Sequence, residues 1–293
     1  MAKKKRTITY SVIATLLIVL IIWLYTNTGF FQKDAIDVKD SLYWEFEDNI
    51  IKGAKSITIE GSSGECWVMA HGYASTPDEL KILGEAINKE YNDTIYIPRL
   101  KGHGMLPSNL LKYSIDDWYD QIASLAQENS CNYLVGSSLT TGFAIKYAEE
   151  HSPKAIVLLG TYLKAPPDYL PMSTILKSLY ITSLYLKKDS IGTIEDPEGL
   201  NQHISTWHFP LKAAVEYDAM FLPKIIKNSD KITAKVLFIH PKVDKIASKK
   251  AALEFYNNLN SEKLFVELDG NHLIMRDIDK EKAIQEVLNF RKR

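Results

Sequence analysis

The stretch from residue 132 to residue 142 most restricts what this chain can fold into. It is a short apolar run that gives way to small residues at Gly136 and then continues with helix-forming residues. This order predicts a buried strand, a sharp turn and a helix, with Ser138 at the apex of the turn. Gly136 and Ser138 match the front half of a nucleophile elbow, although Thr140 stands where that pattern has its second glycine. An ordinary strand-to-helix turn would also fit this stretch taken alone.

Strands and helices are predicted to alternate along most of the chain. Apolar runs predict strands over residues 56–60, 66–70, 93–98, 154–159, 234–239 and 263–268. Helices are predicted over 77–90, 114–127, 141–150 and 248–258, with a closing helix after residue 279. The first of these helices follows Thr76 and includes Glu79, which together predict a capping box. This alternation predicts an α/β fold with a mostly parallel sheet flanked by helices on both faces.

One segment interrupts the alternation. Residues 161–231 are rich in Tyr, Leu and Pro and show no strand pattern, and they are too many for an ordinary crossover connection. We interpret this segment as a helical cap inserted into the domain. Within it, Ile175, Leu176, Leu179 and Tyr180 recur at helical spacing. They either line an acyl channel or form the buried face of the cap itself.

The amino terminus differs in character from the rest of the chain. Four basic residues at positions 3–6 precede an apolar run from Ile8 to Tyr25, close to the roughly 20 residues that cross a bilayer as a helix. A cleaved signal peptide is the alternative, but no small-x-small site follows the run. We therefore expect a basic segment and transmembrane signal anchor over 1–30, a linker over 31–39 and a globular domain over 40–293. Positive charge before the span predicts a single-pass protein of the cell membrane, with its amino terminus inside and the domain outside the cytoplasm.

Charge and cysteine content exclude some classes of partner. The formal net charge is −1 and basic residues cluster only at the two ends, so the chain has no broad nucleic-acid footprint. The histidines lack metal-ligand spacing, and the two cysteines are far apart, so neither a zinc site nor another cofactor is expected. Cys66 and Cys131 each begin an apolar run. They could form a disulfide between neighbouring strands or remain buried thiols.

Two polar residues later in the chain complete a possible catalytic set. Asp244 follows the strand predicted over 234–239, and His272 follows the strand predicted over 263–268. A serine nucleophile requires a histidine base and an acid that orients it, and parallel strands bring their carboxyl ends to one edge of a sheet. Each residue alone would fit an ordinary loop. The order Ser, Asp, His after successive strands is the order of an α/β-hydrolase triad.

The strand over 66–70 ends in His71-Gly72-Tyr73, a pattern that suits an oxyanion loop. The backbone N–H groups of Tyr73 and Leu139 are the expected donors, since one follows His-Gly and the other follows Ser138. His71 is expected to order this loop by hydrogen bonding. His103 lies between two glycines and is expected to be structural or to lie at the edge of the pocket.

These segments resemble the carboxylesterase and monoacylglycerol-lipase branch of the α/β-hydrolase superfamily. The resemblance rests on the segments 71–73, 76–78, 98–104 (Pro-Arg-Leu-Lys-Gly-His-Gly) and 116–118, on the elbow, on Asp244 and on Asn271-His272. It covers nearly everything except the anchor and is weakest in the cap. It implies that Ser138 attacks an ester carbonyl, that His272 moves the proton and that a helical cap forms the acyl pocket, without metal or organic cofactor. His71, His103, Leu176 and Tyr180 are the pocket candidates.

The expected function is therefore that of a membrane-anchored serine esterase or lipase whose substrate is a small-molecule or lipid ester. The triad does not choose the leaving group, so amide or peptide cleavage and acyl transfer on the same residues are alternatives. A membrane-tethered binding domain that kept the fold without catalysis is a further alternative, for which Thr140 is the only hint.

Overall fold

A computed structural model describes residues 10, 12–21, 32–182, 184–187 and 193–293. Its centre is a seven-stranded sheet in the order β11-β10-β7-β6-β4-β5-β3. Neighbouring strands are parallel except β3, which pairs with β5 in the antiparallel sense. The strands are β1 Phe46–Glu47, β2 Ile50–Ile51, β3 Ile57–Ile59, β4 Cys66–Ala70, β5 Thr94–Ile97, β6 Tyr133–Ser137, β7 Ala155–Leu159, β8 Tyr185–Lys187, β9 His208–Pro210, β10 Lys235–Pro241 and β11 Lys263–Leu268. The predicted mostly parallel sheet is confirmed.

The register of the sheet brings several strand ends to the same level. Ser137 at the end of β6 is paired with Leu159 at the end of β7, and Ile239 of β10 is paired with the same residue. Pro241 of β10 then pairs with Leu268 at the end of β11. Because these strands are parallel, the loops that leave β6, β7, β10 and β11 emerge along one edge. Residues from distant parts of the chain can therefore meet there.

Helices cover both faces of the sheet, as the alternation predicts. The elbow helix Thr141–His151 and the helices Ile115–Glu128 and Lys249–Asn258 pack on one face. The helices Asp78–Tyr91 and Lys280–Lys292 pack on the other. Central strands such as β7 are buried along their whole length, which explains why their sequences are continuous apolar runs rather than alternating ones.

The cap lies between β7 and β10 and is not purely helical. Its helices are Met172–Thr182, Pro197–Gln202, Leu211–Glu216 and Leu222–Ile225, with a π-helical turn at Tyr217–Phe221 and a 3-10 turn at Ile226–Lys231. It also contains the antiparallel strands β8 and β9, which the sequence did not predict. Each strand is 3 residues long, too short to show the alternation that identifies a strand.

The segment expected to be a linker forms a helix, Gln32–Ser41. Ile36 and Asp40 on this helix are buried against the domain, so their packing explains why it is ordered there. Residues 12–21 are also helical, with their apolar side chains exposed. Within the described part of the chain, no helix is long and apolar enough to cross a membrane. Positions 8, 9, 11 and 22–25 of the predicted span lie outside the described residues.

Two local predictions at helix starts have different outcomes. Ser114 caps the helix Ile115–Glu128 in a reciprocal capping box with Asp117, as its sequence indicates. Thr76 does not cap the helix Asp78–Tyr91, because its hydroxyl donates to the carbonyl of Ile204 in the cap. The Thr76 hydroxyl therefore bonds a distant residue of the cap and not a backbone N–H in the first turn of its own helix.

Cys66 and Cys131 form a disulfide, with their Cα atoms 4.8 Å apart. Cys66 is the first residue of β4, and Cys131 lies just before β6. Because β4 and β6 are hydrogen-bonded neighbours, the two cysteines are at the same level of the sheet. The structure thus favours the disulfide over the pair of free thiols.

Candidate active site

Ser138 lies at a strained turn directly after β6. Its φ is +57°, in the left-handed region that a non-glycine residue seldom adopts. A 3-10 turn, Ser138–Thr140, then leads into the elbow helix. Gly136 is required here because a Cβ at that position would lie 2.4 Å from the carbonyl oxygen of Thr140. The predicted strand–turn–helix is confirmed, and its apex serine is half-buried.

Thr140, the residue that departs from the elbow pattern, has a defined structural role. Its side chain is buried, and its hydroxyl donates to the carbonyl oxygen of Ala70 at 2.7 Å. The Thr140 Oγ1 atom also accepts from the backbone N–H of Ser137 at 2.9 Å. Thr140 therefore ties the residue before the nucleophile position to the end of β4. A glycine there would supply neither bond.

His272 joins Ser138 to Asp244. Its Nε2 lies 2.6 Å from Ser138 Oγ, and its Nδ1 lies 2.8 Å from Asp244 Oδ2. In the neutral ring, Nδ1–H donates to the carboxylate and Nε2 accepts from the serine hydroxyl. The structure thus brings together the three residues that the sequence singled out, two of them 134 positions apart. The arrangement allows the hydroxyl proton to move to Nε2.

The environment of Asp244 favours its ionised form. Its side chain is fully buried, and burial alone would raise its pKa. The attraction and hydrogen bond of His272, together with the backbone N–H of Ala247, outweigh burial and hold the pKa of Asp244 below its ordinary value. The backbone N–H groups of Ile246 and Ala247 both donate to Oδ1 at 2.8 Å. The carboxylate is therefore fixed in position and charged, as the orienting acid of a histidine base must be.

The two expected oxyanion donors flank Ser138. Leu139 is the next residue in the turn, and Tyr73 lines the same cavity as the serine. A Cβ built on Gly72 would lie 3.4 Å from the Cβ of Ser138, so the loop that carries Tyr73 approaches the serine closely. Ala74, the next residue of this loop, has φ of +57°. The loop is thus held in an uncommon conformation beside the serine.

A cavity of about 300 Å³ opens onto Ser138 and His272. Its walls include Tyr73, Phe209, Ile246 and Leu273, and most of its surface is apolar. Gly72, together with Lys187 and Thr193 of the cap, completes the described lining. The space suits a small substrate with an apolar portion.

The four predicted pocket residues do not belong to the described lining of this cavity. Leu176 is buried in the cap helix Met172–Thr182, and Tyr180 on the same helix is 38% exposed. In the described lining, the cap contributes Phe209 of β9 to the apolar wall of the cavity.

His71 and His103 are buried behind the oxyanion loop. The Nδ1 of His71 lies 2.9 Å from the carbonyl oxygen of Gly72, and its Nε2 accepts from the backbone N–H of Leu100 at 3.3 Å. His71 therefore orders this loop, as the sequence analysis proposed. The ring of His103 packs edge-on against Trp118, with ring centres 4.7 Å apart.

Sequence reasoning missed Glu79, a buried carboxylate under the oxyanion loop. Its Oε2 accepts from the backbone N–H of Gly72 at 3.2 Å, and its Oε1 accepts a short hydrogen bond from the Ser137 hydroxyl. Glu79 therefore links the loop before Tyr73 to the strand before Ser138. The only sequence signal was an acidic residue in the first turn of a helix, a position usually explained by capping.

Asn271 and Gly160 support His272 in ways that the sequence did not reveal. The Asn271 side chain accepts from the backbone N–H of His272 at 2.9 Å. Gly160 follows β7 with φ of +57°, and a Cβ there would lie 2.9 Å from the His272 carbonyl oxygen. The buried Asp277 accepts from the backbone N–H of Asn271 at 2.6 Å. The histidine loop is therefore held from both sides.

Comparison with known proteins agrees with this fold. The family model described as serine aminopeptidase, S33, matches residues 65–279. Among solved structures, a metagenome-derived lipolytic enzyme superposes with a TM-score of 0.75 at 19% identity, covering 83% of this chain and 100% of the other. A monoacylglycerol lipase of Paleococcus ferrophilus gives 0.70 at 18% identity, covering 80% and 96%. A monoglyceride lipase of Saccharomyces cerevisiae gives 0.63 at 16%, covering 85% and 93%. A search of curated proteins finds no match.

Proposed function

Because this chain belongs to the serine aminopeptidase S33 family of α/β-hydrolases, we propose that it cleaves carboxylic esters through an acyl-enzyme on Ser138. The observation that carries this proposal is the continuous hydrogen-bonded chain from Ser138 through His272 to Asp244, which opens onto an apolar cavity. The fold of this chain is similar to the folds of solved esterases and lipases. The cavity provides space for the acyl group of an ester.

In the proposed first step, Ser138 Oγ attacks the ester carbonyl carbon while its proton moves to His272 Nε2. The carbonyl oxygen becomes an oxyanion and accepts from the backbone N–H groups of Tyr73 and Leu139. The charged Asp244 stabilises the imidazolium that forms. The tetrahedral intermediate then collapses: the carbon–oxygen bond to the alcohol breaks, and Nε2–H protonates the departing oxygen.

In the proposed second step, water replaces the alcohol. His272 Nε2 takes a proton from water as its oxygen attacks the acyl carbon, and the same two N–H groups hold the new oxyanion. Collapse breaks the bond to Ser138 Oγ, which recovers its proton from His272. The carboxylic acid leaves, the side chains are regenerated, and one water molecule is consumed for each ester cleaved.

Amide cleavage is the second candidate, since the family description names aminopeptidases. An aminopeptidase must hold the α-ammonium group of its substrate, usually with a carboxylate. The described residues that line the cavity include no acid, and the charged side chain from the cap is Lys187. The apolar wall of Phe209, Ile246 and Leu273 instead suits an acyl chain, which favours the ester.

We also propose that the protein is anchored in the cell membrane, with the catalytic domain outside the cytoplasm. The basic residues at 3–6 and the apolar run after them support this topology. The exposed apolar side chains of the helical residues 12–21 would be stabilised by lipid. The Cys66–Cys131 disulfide suits an oxidising compartment.

Replacing the nucleophile tests the proposed chemistry. Ser138→Ala is expected to lower kcat for p-nitrophenyl acetate and butyrate by at least about 10³-fold and to prevent labelling by a fluorophosphonate probe. Ser137→Ala is the matched control, because it removes the neighbouring hydroxyl and should still be labelled. Hydrolysis retained in Ser138→Ala would contradict the proposal. Faster cleavage of alanine p-nitroanilide than of the esters by the unmodified protein would favour the aminopeptidase.

A further inference from the structure

The helix Gln32–Ser41 places a buried carboxylate against the cap. Asp40 is 1% exposed, and its Oδ2 accepts from the backbone N–H groups of Trp207 and His208 at 2.9 and 3.2 Å. Its Oδ1 lies 2.6 Å from His208 Nδ1. The ring of Tyr43, just after the helix, packs 5.2 Å from that of Trp207. One acidic side chain therefore binds two consecutive residues of the cap.

These residues belong to a segment, residues 204–210, that we call the bridging segment. Its opposite side is bonded to Tyr73 of the oxyanion loop and to the residues that follow it, up to Thr76. The Thr76 hydroxyl donates to the carbonyl of Ile204 at 2.9 Å, and the backbone N–H of Thr206 donates to the carbonyl of Ala74 at 3.2 Å. The Tyr73 hydroxyl donates to the carbonyl of Pro210 at 2.7 Å. The bridging segment thus contacts Asp40 on one side and residues 73–76 on the other.

The same segment carries part of the cavity wall. Phe209 lines the cavity, and its ring lies edge-on to Tyr73 with centres 5.5 Å apart. A displacement of the bridging segment would therefore move both the wall and the residue whose N–H is the proposed oxyanion donor. Asp40 fixes this segment from outside the site, with no contact to the cavity lining in the described bonds of its carboxylate.

We infer that Asp40 is a positioning residue that holds the oxyanion loop through the bridging segment. The inference rests on the proposed function, since it concerns the Tyr73 donor. A buried carboxylate that accepts two backbone N–H groups leaves those donors without a partner when it is removed. An oxyanion donor acts only when it is held in place, so a small displacement lowers kcat more than KM.

The test uses full-length protein in detergent, with reactive sites counted by fluorophosphonate titration. Asp40→Ala is expected to lower kcat per titrated site for p-nitrophenyl acetate by about tenfold, with KM changed less than about twofold. Asp40→Asn should recover most of the loss, because its amide oxygen can still accept from the backbone. Asp34→Asn, an exposed acid on the same helix, is the control and should match the unmodified protein.

The number of sites that react with the fluorophosphonate probe distinguishes a loss of correctly folded protein from a lower kcat in folded protein. An Asp40→Ala protein that loses titratable sites but keeps kcat per site would overturn the inference, as would one with unchanged kcat and site number. Failure of the unmodified protein to react with the probe would instead remove the proposed function on which the inference rests.

A double-mutant cycle tests the path itself. Tyr73→Phe removes the hydroxyl that donates to Pro210 and leaves the backbone N–H. If both residues act through the bridging segment, the combined loss of kcat in Asp40→Ala/Tyr73→Phe is smaller than the product of the two single losses. A combined loss equal to that product would show independent effects and contradict the path.

Discussion

At the scale of single residues, Thr140 changes how the elbow is understood. Judged by pattern, it is a departure that weakens the motif and gives the only hint of a non-catalytic domain. In the structure its hydroxyl links Ser137 to Ala70. Where the elbow pattern has a glycine that allows close packing, this chain has a threonine whose hydrogen bonds stabilise the turn at Ser138. It therefore gives no reason to expect an inactive site.

Substitutions at Thr140 separate shape from hydrogen bonding. Thr140→Val keeps the volume but leaves the Ser137 N–H without its acceptor, so we expect a loss of about 1–3 kcal/mol in the free energy of unfolding and a lower kcat. Thr140→Ser keeps the hydroxyl and should stay near the unmodified protein. Thr140→Gly should still fold and keep part of its activity. Urea unfolding and ester hydrolysis measure these effects, and a Val variant as stable and active as Ser would contradict the bracing role.

At the scale of elements, the disulfide links the two strands that carry the site. Cys66 begins β4, which leads into the oxyanion loop, and Cys131 precedes β6, which leads into Ser138. The disulfide closes a loop with a sequence separation of 65 residues. It lies at the opposite ends of these strands from the site. It is therefore expected to contribute to stability rather than to chemistry.

Removal of the disulfide should destabilise the fold with little effect on the reaction. For a loop of this length, we expect Cys66→Ala/Cys131→Ala to lose about 2–4 kcal/mol in the free energy of unfolding. kcat at temperatures well below the unfolding midpoint should change little. Urea unfolding of the unmodified protein with and without dithiothreitol gives the comparison. Identical unfolding curves in the two conditions would mean that the bond is absent from the protein as purified.

At the scale of the whole molecule, the helix Gln32–Ser41 occupies most of the segment that was predicted to be a linker. This helix is packed on the domain through Ile36 and Asp40. The folded part of the chain therefore includes this helix as well as the domain predicted over 40–293. Under the proposed membrane topology, a domain that begins at this helix would lie near the membrane surface.

The proposed topology is tested with intact cells. Protease added from outside should remove the catalytic domain, because positive charge before the apolar run favours an inside amino terminus. A cytoplasmic marker protein should survive the same treatment, and permeabilised cells should lose both. Complete protection of the domain in intact cells would overturn the orientation.

The sequence alone determined the order of the strands and helices that form the central sheet and its two flanking layers, and the three residues at the centre of the site. Buried parallel strands need continuous apolar runs, and such runs are visible locally. Once the sheet is parallel, residues just after strand ends must share one edge. Ser138, Asp244 and His272 could therefore be identified without coordinates.

Only the tertiary structure decided which other side chains support that site. The hydrogen bond between Asp40 and His208 joins residues 168 positions apart in the sequence. The Thr76 hydroxyl donates to the carbonyl of Ile204, which is 128 positions away. Such pairs leave no periodic signal, because each partner is a single polar residue in its own segment. The same holds for Glu79, whose position suggests a cap but whose carboxylate faces Gly72 and Ser137. A local pattern shows where a strand or helix forms, whereas the partner of a buried polar group depends on which distant segments the fold brings within hydrogen-bonding distance.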